Sequence, residues 1–436
     1  MSLPTDRPVA GHYNRTLARW YLRLEWIVLL LMAPLLLVPD FLPVATALGL
    51  LVLGIVWLFS VYVLHPPSTP FNLALCLWGI AVIIGILVSA DPAETLPKAT
   101  GLILGLGAWR LLVMTARTRR AIIAAVILTL LICLGFTLVG IFGLQEFPKI
   151  PALAMLNPFQ PGALPGLEGL VVHPNQLAGL ICLFLPLLIS LLFAPPDELA
   201  TRGRRAGLLL VTLFTLWILL LTQSRGGWIG TAAGLVILLA IWAVPLPKSK
   251  TRLALRVSFS VLLLGGLIVA LLIGPGLLWG LWLNPPEETL VGTLTTLNFR
   301  KELWPWAIRA LSDFPITGVG LGAFREVSFR LYPLSLSAGY DIAHAHNIFL
   351  QTGLDVGLPG LAVYGALLMV AAAAGWRVAR LNPDYRAISL GLLAGLAALH
   401  VYGLADALAL GSKPGLAFWL ALGLLAAMNR ATPARH

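Results

Sequence analysis

The sequence predicts an all-α integral membrane protein of about twelve transmembrane helices, and three observations carry that expectation. Charged residues are only 11% of the 436 and hydrophobic residues 59%, with a mean hydropathy of +0.93, whereas a soluble domain carries roughly 25% charged residues. A chain this poor in charge cannot cover a water-facing surface, so lipid must be its solvent. The apolar residues fall in runs of about 20, enough to cross a bilayer core as a helix. Basic residues gather in short clusters between those runs, as topology signals do.

Taken in order, the apolar runs place spans at 25–39, 42–64, 71–90, 96–115, 121–144, 175–194, 206–222, 227–246, 253–274, 348–375, 387–408 and 415–429. The first and last are short. Residues 1–23 are polar and hold Arg7, Arg15, Arg19 and Arg23, with no cleavable leader pattern. Cys76, Cys133 and Cys182 lie inside apolar runs without metal-ligand spacing and read as small buried hydrophobes. A net charge of +11 and a pI near 10.0 would suit nucleic acid, but the clustering between spans argues for topology instead.

With the N-terminus in the cytoplasm and sides alternating, 20 of the 29 Lys and Arg fall on the cytoplasmic side and 9 on the other. The opposite orientation inverts this two-to-one bias. The chain then reads as one polytopic domain over 1–436. It has a cytoplasmic N-terminus at 1–24, outer loops at 145–174 and 275–346, and a cytoplasmic C-terminus at 430–436. Connections longer than about 15 residues are usually functional or disordered. The aromatic load of the second loop, including Trp304, Trp306, Phe324 and Tyr332, argues against disorder. Within it Phe299, Leu303, Trp306, Ala307, Ala310, Leu311 and Phe314 recur every three or four residues, which predicts an amphipathic helix on the outer membrane surface. Pro305 is expected to kink it or to open its second part.

Arginines on the outer side run against the charge bias and are therefore informative. Arg225 lies in the tight turn Thr222-Gln223-Ser224-Arg225-Gly226-Gly227, where a fixed guanidinium at the headgroup plane can bind phosphate through two parallel hydrogen bonds. The plainer reading is snorkelling to lipid headgroups. The neighbouring glycines permit close approach of another group. Arg300 opens the amphipathic helix, where a solvated charged face is the plain alternative. Ala343-His344-Ala345-His346-Asn347 closes the long loop. Histidines at i and i+2, with no Cys or Glu beside them, are poor zinc ligands, so no metal and no cofactor is expected. Asn347 suits a helix N-cap and sets His346 at a helix mouth. Asn347, Gln351 and Asp355 follow at i, i+4 and i+8, a polar stripe that should face the protein interior or a wet cavity. From 347 to 376 the helix would overshoot a bilayer core, so Gly357-Leu358-Pro359-Gly360 is the expected break. His173, His400 and Asp406 are secondary candidates.

Taken together, these motifs resemble the O-antigen ligase and O-antigen polymerase superfamily. The pieces are His173-Pro174-Asn175-Gln176-Leu177-Ala178-Gly179, Ser224-Arg225-Gly226-Gly227, and Arg300 before Trp304. They continue with Phe314-Pro315-Ile316-Thr317-Gly318-Val319-Gly320-Leu321-Gly322-Ala323-Phe324, and with His344-Ala345-His346-Asn347-Ile348-Phe349-Leu350-Gln351 ahead of Gly357 and Gly360. Their order and spacing cover roughly residues 25 to 430. The resemblance implies a GT-C-like glycosyltransferase in the bacterial inner membrane. Such an enzyme passes a glycan from undecaprenyl pyrophosphate to an acceptor hydroxyl, lipid A–core or similar, on the periplasmic face and without a metal. It implies Arg225 and Arg300 as pyrophosphate ligands and His346 as the base. His344, Asn347, Gln351, Asn175, His173 and Asp355 are then expected around the substrates.

This chemistry fits the residues. Pyrophosphate leaves once its charge is stabilised, which arginines supply, and histidine can take a hydroxyl proton near neutral pH. Direct displacement would invert the anomeric carbon. No paired carboxylates suggest glycoside hydrolysis. A ligase is the favoured reading and a polysaccharide polymerase of the same superfamily the alternative. A lipid-linked glycan flippase or transporter is the rival from another class. It would usually show internal repeats and midplane polar sites, whereas the polar residues here cluster at one surface.

Overall fold

The computed structural model describes residues 12–63, 67–144, 150, 153, 172–194, 202–243, 280, 283–284, 295–332 and 342–433. Among these residues there is no strand, only an isolated bridge between Leu144 and Val172. The helices are α1 (His12–Leu37), α2 (Pro43–Val63), α3 (Asn72–Leu87), α4 (Pro92–Thr115), α5 (Arg119–Phe142), α6 (Pro174–Leu192), α7 (Arg202–Leu221), α8 (Arg225–Ala243), α9 (Thr295–Asp313), α10 (Phe324–Leu331), α11 (Ile348–Leu381), α12 (Arg386–Tyr402) and α13 (Leu416–Ala431). Eight are long and apolar enough to cross a membrane, and α2 and α3 are shorter apolar helices. The protein is an all-α multi-pass membrane protein. Every expected span is one of these helices except 253–274, which lies outside the described residues, as do the N-terminal 11 residues and most of the loop 145–174.

Lipid explains why the helices form. Without water, each backbone N–H and C=O must bond within its own segment, and outward faces can stay apolar. Leu58, Leu87 and Met369 point outward in this way. The interior is built on α13, in which Leu416 to Met428 are all buried. A helix apolar on every side belongs inside a bundle. It packs on α4, α5 and α11, while α12 packs on α6 and α8. Helices α1 and α4 are joined by the ion pair between Glu25, fully buried, and Arg110. A buried pair of this kind is destabilising when one partner is removed.

Helix α11 breaks where its length required. Gly357 has φ 74° and ψ 176°, a region essentially reserved for glycine. The Gly318-to-Gly322 strap docks at this break: the Val319 N–H donates to Leu354 O at 2.8 Å, and the Leu358 N–H donates to Pro315 O at 2.8 Å. On the other side Leu321 donates to Gly85 O and accepts from Thr95 Oγ1 at 2.7 Å. Helix α9 is amphipathic as its spacing predicts and is assigned as one helix through Pro305. Its buried stripe, Leu303, Ala307 and Ala310, packs on Val319, Ala323, Phe324 and Leu354. The stripe therefore faces a small protein core between the loop and the upper part of α11. Phe314, expected on that stripe, is exposed.

Candidate active site

Five chain segments that are distant in sequence meet at one end of the bundle. The segment 342–347 enters α11 through Asn347, whose Oδ1 accepts from the N–H groups of Phe349 (2.9 Å) and Leu350 (3.0 Å). Its Nδ2 donates to Leu404 O at 3.0 Å. Two further bonds pin Ala345, between the histidines: Trp304 Nε1 donates to its carbonyl at 3.1 Å, and its N–H donates to Gln351 Oε1 at 2.9 Å. Gln351 Nε2 passes the chain on to Asp355 Oδ1 at 2.8 Å, which also accepts from the Gly322 N–H at 2.9 Å. The polar stripe thus turns inward, and the atoms in these bonds hold the histidine loop.

His346 has φ 47°. A non-glycine residue in this region stores roughly 1–3 kcal/mol of strain and persists only where its surroundings impose it. Among the described residues the only other such position is Gln223, with φ 48°, two residues before Arg225. Both left-handed residues therefore sit in the segments singled out by charge and motif.

Asp406 follows α12 and is 4% exposed. Its Oδ1 lies 3.3 Å from His346 Nδ1 and 3.6 Å from His344 Nε2. Its Oδ2 accepts from Asn175 Nδ2, and the Ala407 N–H donates to Oδ1 at 2.8 Å. Burial alone would raise this carboxyl. The neighbouring His346 and His344 and the charge of Arg300 outweigh it and hold the group below the usual carboxylate range. His346 Nδ1 is close to Oδ1 but is not in hydrogen-bonding geometry with it.

The two rings, 4.2 Å apart between centroids, are not equivalent. His344 Nδ1 accepts the backbone N–H of His346 at 3.1 Å. Its proton therefore belongs on Nε2, towards Asp406, and both ring nitrogens are committed. Burial first, and then the neighbouring His346, His173 and Lys98, depress His344 to about 3 against the opposing pull of Asp406. It is neutral at physiological pH and a poor proton acceptor. In His346 the nitrogen facing Asp406 is Nδ1, which leaves the lone pair on Nε2 when the ring is neutral. Phe299 packs edge-on against this ring at 5.4 Å. His344, His346 and Asp406 also present their ligand atoms within 4.8 Å of one another. The same three groups could therefore hold a divalent cation, at the cost of the protons on His346 Nδ1 and His344 Nε2.

The arginines converge here from separate elements. Arg300, in the second turn of α9, donates through Nε (2.9 Å) and Nη2 (2.5 Å) to Ala405 O. Arg225 opens α8, capped by Ser224, whose Oγ accepts the Gly227 N–H at 3.3 Å. The two guanidiniums are close enough to repel each other. Gly227 does permit a close approach, but by another helix. A Cβ there would stand 2.7 Å from Ala178 Cβ of α6, so this glycine serves packing beside the site.

His173 is the N-cap of α6, with Nδ1 accepting the Asn175 N–H at 3.2 Å. The Asn175 carbonyl accepts from Tyr402 OH at 2.7 Å. His400 lies apart, bonded to Tyr364. Sequence reading placed Asp406 only among secondary candidates and did not single out Lys98. The Lys98 ammonium faces Gly322 O at 3.4 Å and acts on Asp355 and His344. Its signal was a lone basic residue on the outer side at the start of a span. Below the histidines, Lys98, Thr352 and Asp355 line a cavity of about 20 Å³, room for about one water.

A search of curated proteins finds no match. The sequence model of the O-antigen ligase family matches residues 210–365, the segment that holds Arg225, Arg300, His344 and His346. The match covers about a third of the chain and, with the helical membrane architecture, supports membership of the O-antigen ligase-like superfamily.

Proposed function

We propose that the protein transfers a glycan from a polyprenyl pyrophosphate carrier, of the undecaprenyl type, to an acceptor hydroxyl at the outer face of a bacterial inner membrane. The observation that carries this reading is the pairing of a carboxylate-oriented histidine with two converging arginines. The acceptor O–H gives its proton to His346 Nε2 as its oxygen bonds to the anomeric carbon. The bond from that carbon to the pyrophosphate oxygen breaks, and the electron pair leaves with the pyrophosphate. Arg225 and Arg300 take up the charge, as fixed donors in a water-poor site do best. Mutual repulsion of these two cations is relieved by the anion they bind. Asp406 orients the imidazole and stabilises its protonated form. Attack opposite the leaving group inverts the anomeric centre.

Around the substrates, His344 and Asn347 shape the acceptor side, Gln351 and Asp355 hold that loop from below, and His173 and Asn175 hold Asp406. A polymerase of the same superfamily carries the same motifs and would differ in its acceptor, a second lipid-linked glycan. The test is reconstitution in nanodiscs with a polyprenyl-pyrophosphate glycan, offering lipid A–core in one arm and a second lipid-linked glycan in the other. A single addition to lipid A–core supports the ligase, and a ladder of lengthening lipid-linked products the polymerase. Transfer to neither overturns the reading. Loss of activity with a chelator, restored by a divalent cation, would assign the histidine–carboxylate cluster to a metal instead.

A further inference from the structure

Lys98 of α4 and Asp355 of α11 line the same small cavity beneath the histidine loop, and one residue of the strap bridges them. The Gly322 N–H donates to Asp355 Oδ1 at 2.9 Å, and the Gly322 carbonyl accepts from Lys98 Nζ at 3.4 Å. The bridge requires glycine, because φ is 79° and a Cβ would stand 2.7 Å from Lys98 Nζ. Lys98 has a second acidic neighbour, Glu94, at 3.9 Å, but Glu94 is closer to Arg325, at 3.1 Å. The other walls of the cavity bring no further charge: Trp78 of α3, Leu321 of the strap, and Ala407, Leu410 and Gly411 beyond α12 are neutral. A buried carboxylate needs a counter-charge, and the cation that acts on Asp355 is Lys98.

The consequence reaches the histidines through a single amide. Gln351 Nε2 donates to Asp355 Oδ1 at 2.8 Å, while Gln351 Oε1 accepts the Ala345 N–H at 2.9 Å. A carboxylate can only accept, so it admits one orientation of that amide, with Nε2 towards itself and Oε1 towards the loop. A reversed amide would set Nε2 against the Ala345 N–H, donor against donor. We infer that Lys98 is a positioning residue for the transfer reaction: its charge balances Asp355, Asp355 fixes the Gln351 amide, and that amide holds the peptide leading into the left-handed His346. The effect on transfer rests on the function proposed above, whereas the pairing of Lys98 with Asp355 does not. The rival role for Lys98 is direct binding of a substrate phosphate, which its side chain, 17% exposed and turned to Gly322 O, disfavours.

The experiment is a double-mutant cycle on the full chain in nanodiscs, with Lys98→Met, Asp355→Asn and K98M/D355N, read as Tm, donor binding and single-turnover transfer. Lys98→Met strands the carboxylate. It should lower Tm and slow transfer by about 10²-fold, the cost of misplacing a reacting group by about 1 Å, with donor binding unchanged. Asp355→Asn should lose less, because its Oδ1 can still accept from Gln351 and Gly322. K98M/D355N should return to the level of Asp355→Asn, with Tm restored and transfer at least about tenfold faster than in Lys98→Met, as for groups coupled in one network. Additive losses in the double variant would overturn the proposal. Loss of donor binding in Lys98→Met would overturn it as well, by making Lys98 a substrate ligand. A wild-type protein that transfers nothing would sink the proposed function instead, and the Tm cycle would still decide the pairing.

Discussion

Nδ1 of His346 lies 3.3 Å from Oδ1 of Asp406, which aims the opposite nitrogen of the ring, Nε2, away from the carboxylate. In the proposed mechanism His346 is the proton acceptor, and loss of a general base typically costs about 10²–10⁴-fold in rate. His346→Ala should lose transfer by that factor while retaining the lipid-linked donor. Asp406→Asn should lose at least about tenfold of the same enhancement, with partial rescue by Asp406→Glu. His344→Ala should be milder, because its Nδ1 is bonded to backbone and its Nε2 faces the carboxylate. The measurement is single-turnover transfer beside donor binding in nanodiscs. A dead His344→Ala beside a near-normal His346→Ala would reverse the assignment.

The His344 ring also makes stability depend on pH. Its folded value, about 3, lies below the ordinary 6.5. Between those values the unfolded chain binds a proton that the folded chain does not. Stability from this site is therefore complete above about pH 6.5 and falls as pH drops towards 3. Asp406, depressed below the ordinary carboxylate value of about 3.9, loses its contribution only at lower pH. From about pH 7 to about pH 4.5, Tm of His344→Gln should fall less than that of the wild type. Parallel curves would show that His344 is not buried neutral.

Arg225→Ala and Arg300→Ala should each weaken donor binding or turnover by the equivalent of about 2–5 kcal/mol, the loss on removing a charge-assisted contact from a partly desolvated site. Lysine should rescue poorly at both positions, since it lacks the planar fork. Arg330, paired with Glu326 on an exposed surface, is the control and should stay near wild type. Full donor turnover by both alanine variants, in correctly inserted protein, would remove the pyrophosphate assignment.

Gly357→Ala should destabilise the whole upper half of the protein. The substitution forces a side chain into a glycine-only backbone region, at about 1–3 kcal/mol, and its Cβ would overlap the Ile316 carbonyl. Gly365→Ala, on the same helix with open space around it, should leave Tm unchanged or slightly raised. Equal Tm values for the two variants would show that the break is not needed.

Orientation can be checked with cysteine labelling. A cysteine at Thr295, in a background lacking the three native cysteines, should react with an impermeant reagent from the outer side alone. Reaction solely from the cytoplasmic side would invert the topology and with it the proposed face of the site.

Much of this architecture was legible because lipid leaves a chain few choices. Apolar runs must be helices, and the overshoot after Asn347 had to be broken near Gly357, as it is. The arginines and the histidine loop were legible as polar groups placed where the charge bias disfavours them. Asp406 was harder. One acidic residue at the end of a span has no spacing relation to His346, and the packing of the end of α12 against the start of α11, where the Ile348 N–H donates to Gly403 O, brings them together. Lys98 was hidden for the same reason. Periodicity placed the face of α9 correctly but not its partner, because an apolar stripe does not state whether protein or lipid covers it.

The bonds from Arg300 to Ala405 and from Asn175 to Asp406 also set an order of assembly. A nascent chain that ended at Leu381 would already carry both arginines, both histidines and the whole segment matched by the family. It would lack the carboxylate that orients the base and the carbonyl that anchors Arg300. Competence therefore arrives with the last pair of helices, when α12 inserts beside α6 and α8 and carries Asp406 into a ring of residues synthesised well before it. On the proposed mechanism, a chain terminated anywhere before Asp406 should therefore lack the orienting carboxylate and show no transfer.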